Sequence, residues 1–299
     1  MADRINILVT GGSGQVGTSL SRLEWARPVA LHFPTSAELD LSDANSVSTF
    51  FAANRYDAVI NAGAYTAVDR AEDDIWRAFA VNALGPAALA AETRASNTPL
   101  LQVSTDYVFS GNLGRPYKEA DAPEPLSVYG ASKLAGELAV RSGNARSVVL
   151  RTAWVLSPHG RNFLKTMLSL AADRPLVRVV NDQIGCPTSA DDIAEVLAAI
   201  ALRLVDDPQA PVGTYHFCNS GQASWADLAR FIFELREAKG GSLVKVEDIA
   251  THEYPTAAHR PAKSVLSTDK IEADYCIRPR SWQEAVVSIM EEMDIEAVR

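Results

Sequence analysis

The feature that most constrains this chain is the run Gly11-Gly12-Ser13-Gly14-Gln15-Val16-Gly17, which follows directly on the apolar stretch Ile5–Val9 and leads into a helical pattern. Gly11, Gly14 and Gly17 let a backbone turn tightly and approach a pyrophosphate, and the free N–H groups of the following helix N-terminus are placed to receive it. A strand, a glycine turn and a helix in that order predict the first unit of a dinucleotide-binding sheet. A glycine-rich loop of another α/β protein, such as a methyltransferase, is the competing reading at this stage.

The rest of the first half repeats the rhythm. The runs Val29–Phe33, Ala58–Asn61, Leu100–Val103 and Ser147–Arg151 read as strands, and helix-like stretches lie between them, notably 76–95 and 129–141. Strands alternating with helices predict an α/β fold, a doubly wound parallel sheet of the Rossmann type covered on both faces. Beyond about residue 155 prolines at 158, 175, 187, 208 and 211 separate isolated helical stretches at 162–172, 190–204 and 224–239. The expected division is a dinucleotide-binding domain over 1–155 and a smaller C-terminal substrate domain over 156–299. A segment near 176–200 is expected to return to the sheet, at Arg178–Val180.

Composition narrows the function. The chain has 299 residues, 47% hydrophobic and 22% charged, so it has material for a buried core and none of the bias of a disordered chain. A net charge of −9 argues against a general nucleic-acid or anionic-membrane binder, whose footprint would be basic. No stretch approaches the roughly 20 apolar residues of a membrane helix. The three cysteines, Cys186, Cys218 and Cys276, form no C-x-x-C pair, and the start of the chain lacks a signal peptide's apolar core, so a cytoplasmic protein without a cysteine metal site is expected.

Three further signals carry chemistry. Near the end of the second strand, roughly 20 residues after the glycines, an NAD-selective protein places an acid on the ribose 2′-OH; here the residue is His32, which admits NADPH. Of eight tyrosines only Tyr129 has a lysine four residues on, Lys133, and helical spacing puts both on one face. An ammonium about 4 Å from the phenol, at an effective dielectric of about 20, is worth up to about 4 kcal/mol, enough to bring a pKa of about 10 close to 7. A general acid works best there. Finally, Ser104-Thr105-Asp106-Tyr107-Val108-Phe109 follows the strand at 100–103, where Thr105 is placed to donate to a carbonyl oxygen.

Together these residues resemble the extended short-chain dehydrogenase/reductase family. The likeness runs through nearly the whole chain, including Asn61-Ala62-Gly63-Ala64-Tyr65-Thr66-Ala67-Val68-Asp69, Arg151-Thr152-Ala153-Trp154-Val155, Asn181-Asp182-Gln183-Ile184-Gly185-Cys186-Pro187-Thr188 and Arg260-Pro261. It is closest to members that reduce the 4-keto group of a dTDP-6-deoxy-L-lyxo-hexos-4-ulose to dTDP-L-rhamnose. The resemblance implies that Gly14, Gln15 and Val16 hold the cofactor pyrophosphate, Asp40 and Leu41 the adenine, and Ala64, Tyr65 and Thr66 the middle of the cofactor. It implies that Lys133 bonds the nicotinamide ribose and tunes Tyr129, that Thr105 and Asp106 face the sugar, that Trp154 packs on it, and that Arg260 takes the substrate diphosphate. The implied cofactor is NADPH, with NADH also admitted, and the implied partner is a nucleotide sugar bound by a monomer or homodimer. Where some relatives carry a first-helix carboxylate that joins protomers through Mg²⁺, this chain has Thr18-Ser19-Leu20, and no metal is expected. Sugar 4,6-dehydratases of the family place Glu two positions after the threonine, where Tyr107 stands here, and epimerases usually place a small residue where Asp106 stands. A cofactor-binding regulatory subunit is the remaining alternative, and it has no chemical use for Thr105, Tyr129 and Lys133 together.

Overall fold

The computed structural model describes residues 4–297. Six parallel strands form the central sheet, in the order Gly213–His216, Ser147–Thr152, Leu100–Thr105, Ala58–Asn61, Ile5–Thr10, Val29–His32. The central strands Ala58–Asn61 and Ser147–Thr152 are buried at every position, as expected of a parallel sheet with helices on both faces. One face, through Ile7, Val9, Ile60, Leu101, Leu150 and Tyr215, packs on the helices Gln15–Arg22 and Ala190–Asp206. The other, through Leu8, Val59, Leu100 and Val149, packs on the helices Ala44–Ala53, Gly85–Ala95 and Val128–Gly143.

Local chemistry sets the helix starts. The side chains of Ser127, Asn162 and Ser189 accept from the free N–H groups of Gly130, Lys165 and Asp191, and Ser224 forms a capping box with Asp227. The long helical stretch expected over 76–95 is continuous but changes winding. The helix Ile75–Phe79 passes through a π-helical turn, Ala80–Leu84, before Gly85–Ala95. That turn aims buried Asn82 inward.

The expected return of the chain to the sheet at Arg178–Val180 is not what the structure has. Leu176–Val180 pairs in parallel with Lys245–Ile249 in a separate two-stranded sheet, and Gly213–His216 is the strand that rejoins the main sheet beside Ser147–Thr152. The reason is visible in the burial: Leu176 and Arg178 alternate with buried Val177 and Val179, a pattern with one wet face that does not suit the interior of a doubly covered sheet. Val177 and Val179 instead join Leu164, Met167, Ile232, Phe233, Val286 and Ile289 in a second core. Cys186 and Cys218, distant in sequence, are buried in one apolar cluster with Val108 and Phe109, and Cys276 is exposed. Among the described residues no helix is long and apolar enough to cross a membrane.

Candidate active site

The strand order reverses between Ile5–Thr10 and Ala58–Asn61, and the crevice at the carboxyl ends of these two strands is where an open α/β sheet takes a ligand. Gly11 turns there with φ +72°, and a Cβ on it would lie 2.6 Å from Gly63 N. Gly14 N donates to Gly11 O at 2.9 Å, and a Cβ on Gly17 would stand 2.3 Å from the same oxygen. Only glycines let the loop, the next strand's end and the first helix pack backbone against backbone. The helix Gln15–Arg22 starts at Gly14 with no side-chain cap, so its first N–H groups remain for a ligand.

The other expected cofactor residues surround this crevice. Leu41 lies against Gly63 and Gly85, and Asp40 accepts from Ser42 N and Oγ at 2.8 and 2.7 Å, which holds its carboxyl below the usual range. Ala64, Tyr65 and Thr66 follow Gly63. The Tyr65 backbone is clamped by Asn82, whose Oδ1 accepts from Tyr65 N at 2.8 Å while its Nδ2 donates to Tyr65 O at 3.1 Å. Val16 is buried in the sheet's core, and the Gln15 side chain accepts from Asn162 Nδ2 at 2.8 Å, tying the loop to the second half of the chain. His32 stands at the end of its strand, with Nδ1 hydrogen-bonded to the Tyr56 hydroxyl and its ring 5.4 Å from that of Phe50.

Two strands along, Leu100–Thr105 delivers Thr105 to the same end of the sheet. Thr105 Oγ1 donates to Asp106 Oδ1 at 3.1 Å and accepts from Tyr107 N at 3.2 Å, and it lies near enough to the Tyr129 phenol to act on its titration. Gly130 lets the helix bearing Tyr129 close onto this segment, since a Cβ there would lie 2.2 Å from Tyr107 O. Asp106 is fully buried and its other oxygen accepts from Ser264 Oγ at 2.5 Å; burial pushes its carboxyl up to about 6 against those hydrogen bonds. The Tyr107 ring meets that of Tyr129 edge-on at 5.7 Å.

The expected depression of the Tyr129 pKa is corrected here. Burial pushes the phenol up to about 12, opposed by the polar Thr105 side chain nearby, and Lys133 is not among the charges acting on it. The Lys133 ammonium donates instead to Val103 O at 2.7 Å, and burial, opposed by Glu137, takes it down to about 8. Helical spacing put the two side chains on one face without putting their polar ends together. Among the described residues Val103 O is the only hydrogen-bond partner of this buried ammonium, which leaves two N–H donors for a ligand.

Of the expected substrate contacts, Trp154 has φ +46°, stacks on Trp225 with ring centres 3.4 Å apart, and lies hard against Gly185. Arg260 Nη2 is paired with Asp69 Oδ2 at 2.8 Å, while Ala258 N donates to Asp69 Oδ1 at 3.2 Å. Sequence reasoning gave no role to Asp69, Asn82 or Ser264, and weighed Tyr107 only as the residue that replaces a dehydratase's Glu. Asp69 lies inside the stretch 61–69, where its carboxylate is a visible partner for a cation. Asn82 depends on a π turn and Ser264 on a contact across the fold, and neither leaves a local signal.

A dinucleotide crevice with a threonine, a protonated tyrosine and a buried lysine at its far end defines the class of nicotinamide-dependent oxidoreductases with the short-chain reductase architecture. The comparisons narrow that class: the chain belongs to the family described as the RmlD substrate binding domain, whose model matches residues 5–295. It is 42% identical to the dTDP-4-dehydrorhamnose reductase of Sinorhizobium fredii, over 94% of this chain and 95% of that one. It is 37% identical to the spore coat polysaccharide biosynthesis protein SpsK of Bacillus subtilis, over 96% of this chain and 97% of that one. Its structure matches that of the dTDP-4-dehydrorhamnose reductase from Bacillus anthracis in complex with NADP, with a TM-score of 0.90, 31% identity, and coverage of 97% of this chain and all of that one.

Proposed function

We propose that this chain is an oxidoreductase that reduces the 4-keto group of dTDP-4-dehydro-L-rhamnose to dTDP-L-rhamnose with NADPH, and also admits NADH, in the supply of a sugar donor for cell-surface polysaccharide. The observation that carries the reading is the constellation Thr105, Tyr129 and Lys133 at the carboxyl end of the strand Leu100–Thr105, two strands from the glycine crevice. The crevice fits the cofactor: the backbone contacts of Gly11 and Gly17 leave no room for a Cβ, the helix start is uncapped, and Lys133 keeps two spare donors.

NADPH, when bound, supplies a hydride to the carbonyl carbon. The chain handles the oxygen. Thr105 turns its one O–H from Asp106 Oδ1 to that oxygen, and Asp106, which accepts from both Thr105 and Ser264 before substrate arrives, keeps the Thr105 side chain at this position. Tyr129 gives the proton. A phenol held at about 12 is protonated in nearly every molecule at neutral pH, and the alkoxide forming at C4 is a stronger base than a phenolate, so the transfer runs downhill. Lys133, whose ammonium is held by Val103 O, offers its remaining donors to the nicotinamide ribose.

Arg260 supplies the anion site in a chain of net charge −9: with Asp69 on one Nη2, the rest of the guanidinium fork faces the substrate diphosphate. Tyr107 supports reduction over elimination, because a phenol pushed above its usual range by burial cannot replace the carboxylate a dehydratase needs. The enzyme works in the cytoplasm, as a monomer or homodimer. The test is to add dTDP-4-dehydro-L-rhamnose to enzyme and NADPH. Loss of NADPH absorbance matched by dTDP-L-rhamnose formed supports the reading, and a product that forms without net NADPH loss points to an epimerase or dehydratase.

A further inference from the structure

The helix Val128–Gly143 carries a third polar residue on the stripe that begins with Tyr129 and Lys133. Glu137 stands one further turn down and is 2% exposed. Its Oε1 accepts from Ser104 Oγ at 2.5 Å and Arg151 Nε at 2.9 Å, and its Oε2 accepts from Arg151 Nη2 at 2.6 Å. Arg151 in turn reaches His216 Nε2 at 3.4 Å from Nη1. The His216 Nδ1 donates to Tyr117 O at 3.1 Å, so Nε2 is the acceptor; burial and Arg151 hold this imidazole near 3, uncharged. One carboxylate thus joins the helix to three adjacent strands, through Ser104, Arg151 and His216. The residue before Ser104 lends its carbonyl to Lys133, and the residue after it is Thr105.

A buried ion pair is weak evidence of added stability, because desolvation of both charges offsets their attraction. Its position is more telling. We propose that Glu137 is a positioning residue for the reduction: pinned by Ser104 and Arg151, it sets the register of the helix face carrying Tyr129 and Lys133 against Thr105, and it fixes a negative charge one helical turn from Lys133 on the same buried face. The inference deepens the reductase reading and rests on it for the role given to Tyr129.

Other charged groups lie on elements packed against this helix. Asp106 follows the strand Leu100–Thr105 and is bonded to Ser264 and Thr105. Asp69 is held by Arg260, and Glu72 accepts from Val128 N at 2.9 Å. Arg77 lies on Ile75–Phe79, Glu92 and Arg94 on Gly85–Ala95, and Arg151 is the partner of Glu137 itself. Glu137 is the charge that acts on Lys133 against the effect of burial.

The experiment measures NADPH affinity by fluorescence titration across pH, without turnover, alongside the pH profile of kcat and a thermal melt. Wild type should lose affinity as Lys133 deprotonates near pH 8. Glu137→Gln should move that alkaline limb down by roughly one to two pH units, the scale of a charge about 6 to 12 Å away at an effective dielectric of about 20. Glu137→Asp, which keeps the charge, should leave it in place even if the melt drops. Because Glu137→Gln strands the Arg151 guanidinium, Glu137→Gln/Arg151→Met is the second variant; with no stranded charge it should stay folded and show the same shift. Glu137→Gln and the double variant binding NADPH with the wild-type limb would overturn the proposal, as would a Glu137→Asp limb shifted like that of Glu137→Gln. The binding limb is read without sugar substrate, so a wild type that binds NADPH normally and reduces no sugar would fail the reductase reading alone.

Discussion

Asp106 bears a cost that can be measured separately from catalysis. It is fully buried, and burial raises its carboxyl from 3.8 to about 6 in spite of hydrogen bonds from Ser264 and Thr105. A carboxyl whose folded pKa lies above its unfolded value binds its proton more tightly in the native state, so its contribution worsens as pH rises from the unfolded toward the folded pKa and levels off above it. Two pKa units correspond to roughly 3 kcal/mol, and about 1.4 kcal/mol of that accrues between about pH 5 and about pH 7.5. Asp106→Asn keeps the shape and removes the titration. Urea unfolding should therefore show the variant gaining on wild type as pH rises across that window, by about 1 to 1.5 kcal/mol. The same variant should turn over more slowly, because Asp106 holds the Thr105 hydroxyl. A stability difference that stays flat between the two pH values would show that Asp106 is not a strained carboxylate and would refute the reasoning.

Three further outcomes follow from the geometry. Gly17→Ala drives a Cβ to within 2.3 Å of Gly11 O, so the loop must shift; NADPH affinity should fall by roughly 10- to 100-fold, and wild-type affinity by fluorescence titration would contradict the packing. His32→Asp should move the ratio of NADPH to NADH kcat/KM toward NADH by repelling a 2′-phosphate, and an unchanged ratio would place that phosphate elsewhere. Arg260→Ala should weaken sugar-nucleotide binding roughly 10- to 150-fold by calorimetry while sparing NADPH, as expected for one charge-assisted hydrogen bond; equal losses for both ligands would mean that breaking the Asp69 pair merely loosens the protein.

What the sequence made legible was what is local. The glycine run, the strand and helix alternation and the Tyr129/Lys133 spacing follow from short-range backbone geometry, and the structure carries the central strands close to the positions read from the residues. The sheet's last strand was misplaced because Leu176–Val180 and Gly213–His216 are both short β-like runs, and only their pairing partners distinguish them. The electrostatics of the site were misread for a related reason. Spacing of i and i+4 reports a shared helix face, whereas the Tyr129 pKa is set by burial, and the Lys133 ammonium is claimed by a carbonyl on the neighbouring strand. Ser264 under Asp106 and the Glu137, Arg151 and His216 cluster depend on tertiary contacts that no window of sequence contains.

The central claim is that Tyr129 protonates the sugar oxygen while other residues hold the cofactor. The most direct measurement is turnover of Tyr129→Phe with NADPH and dTDP-4-dehydro-L-rhamnose, read beside its NADPH dissociation constant. The ring and its edge-on contact with Tyr107 survive this change, and only the hydroxyl is lost. Turnover should fall by roughly 10²- to 10⁴-fold, the range for loss of a general acid, with NADPH binding within a few-fold of wild type. A variant that reduces the sugar at close to the wild-type rate would contradict the account.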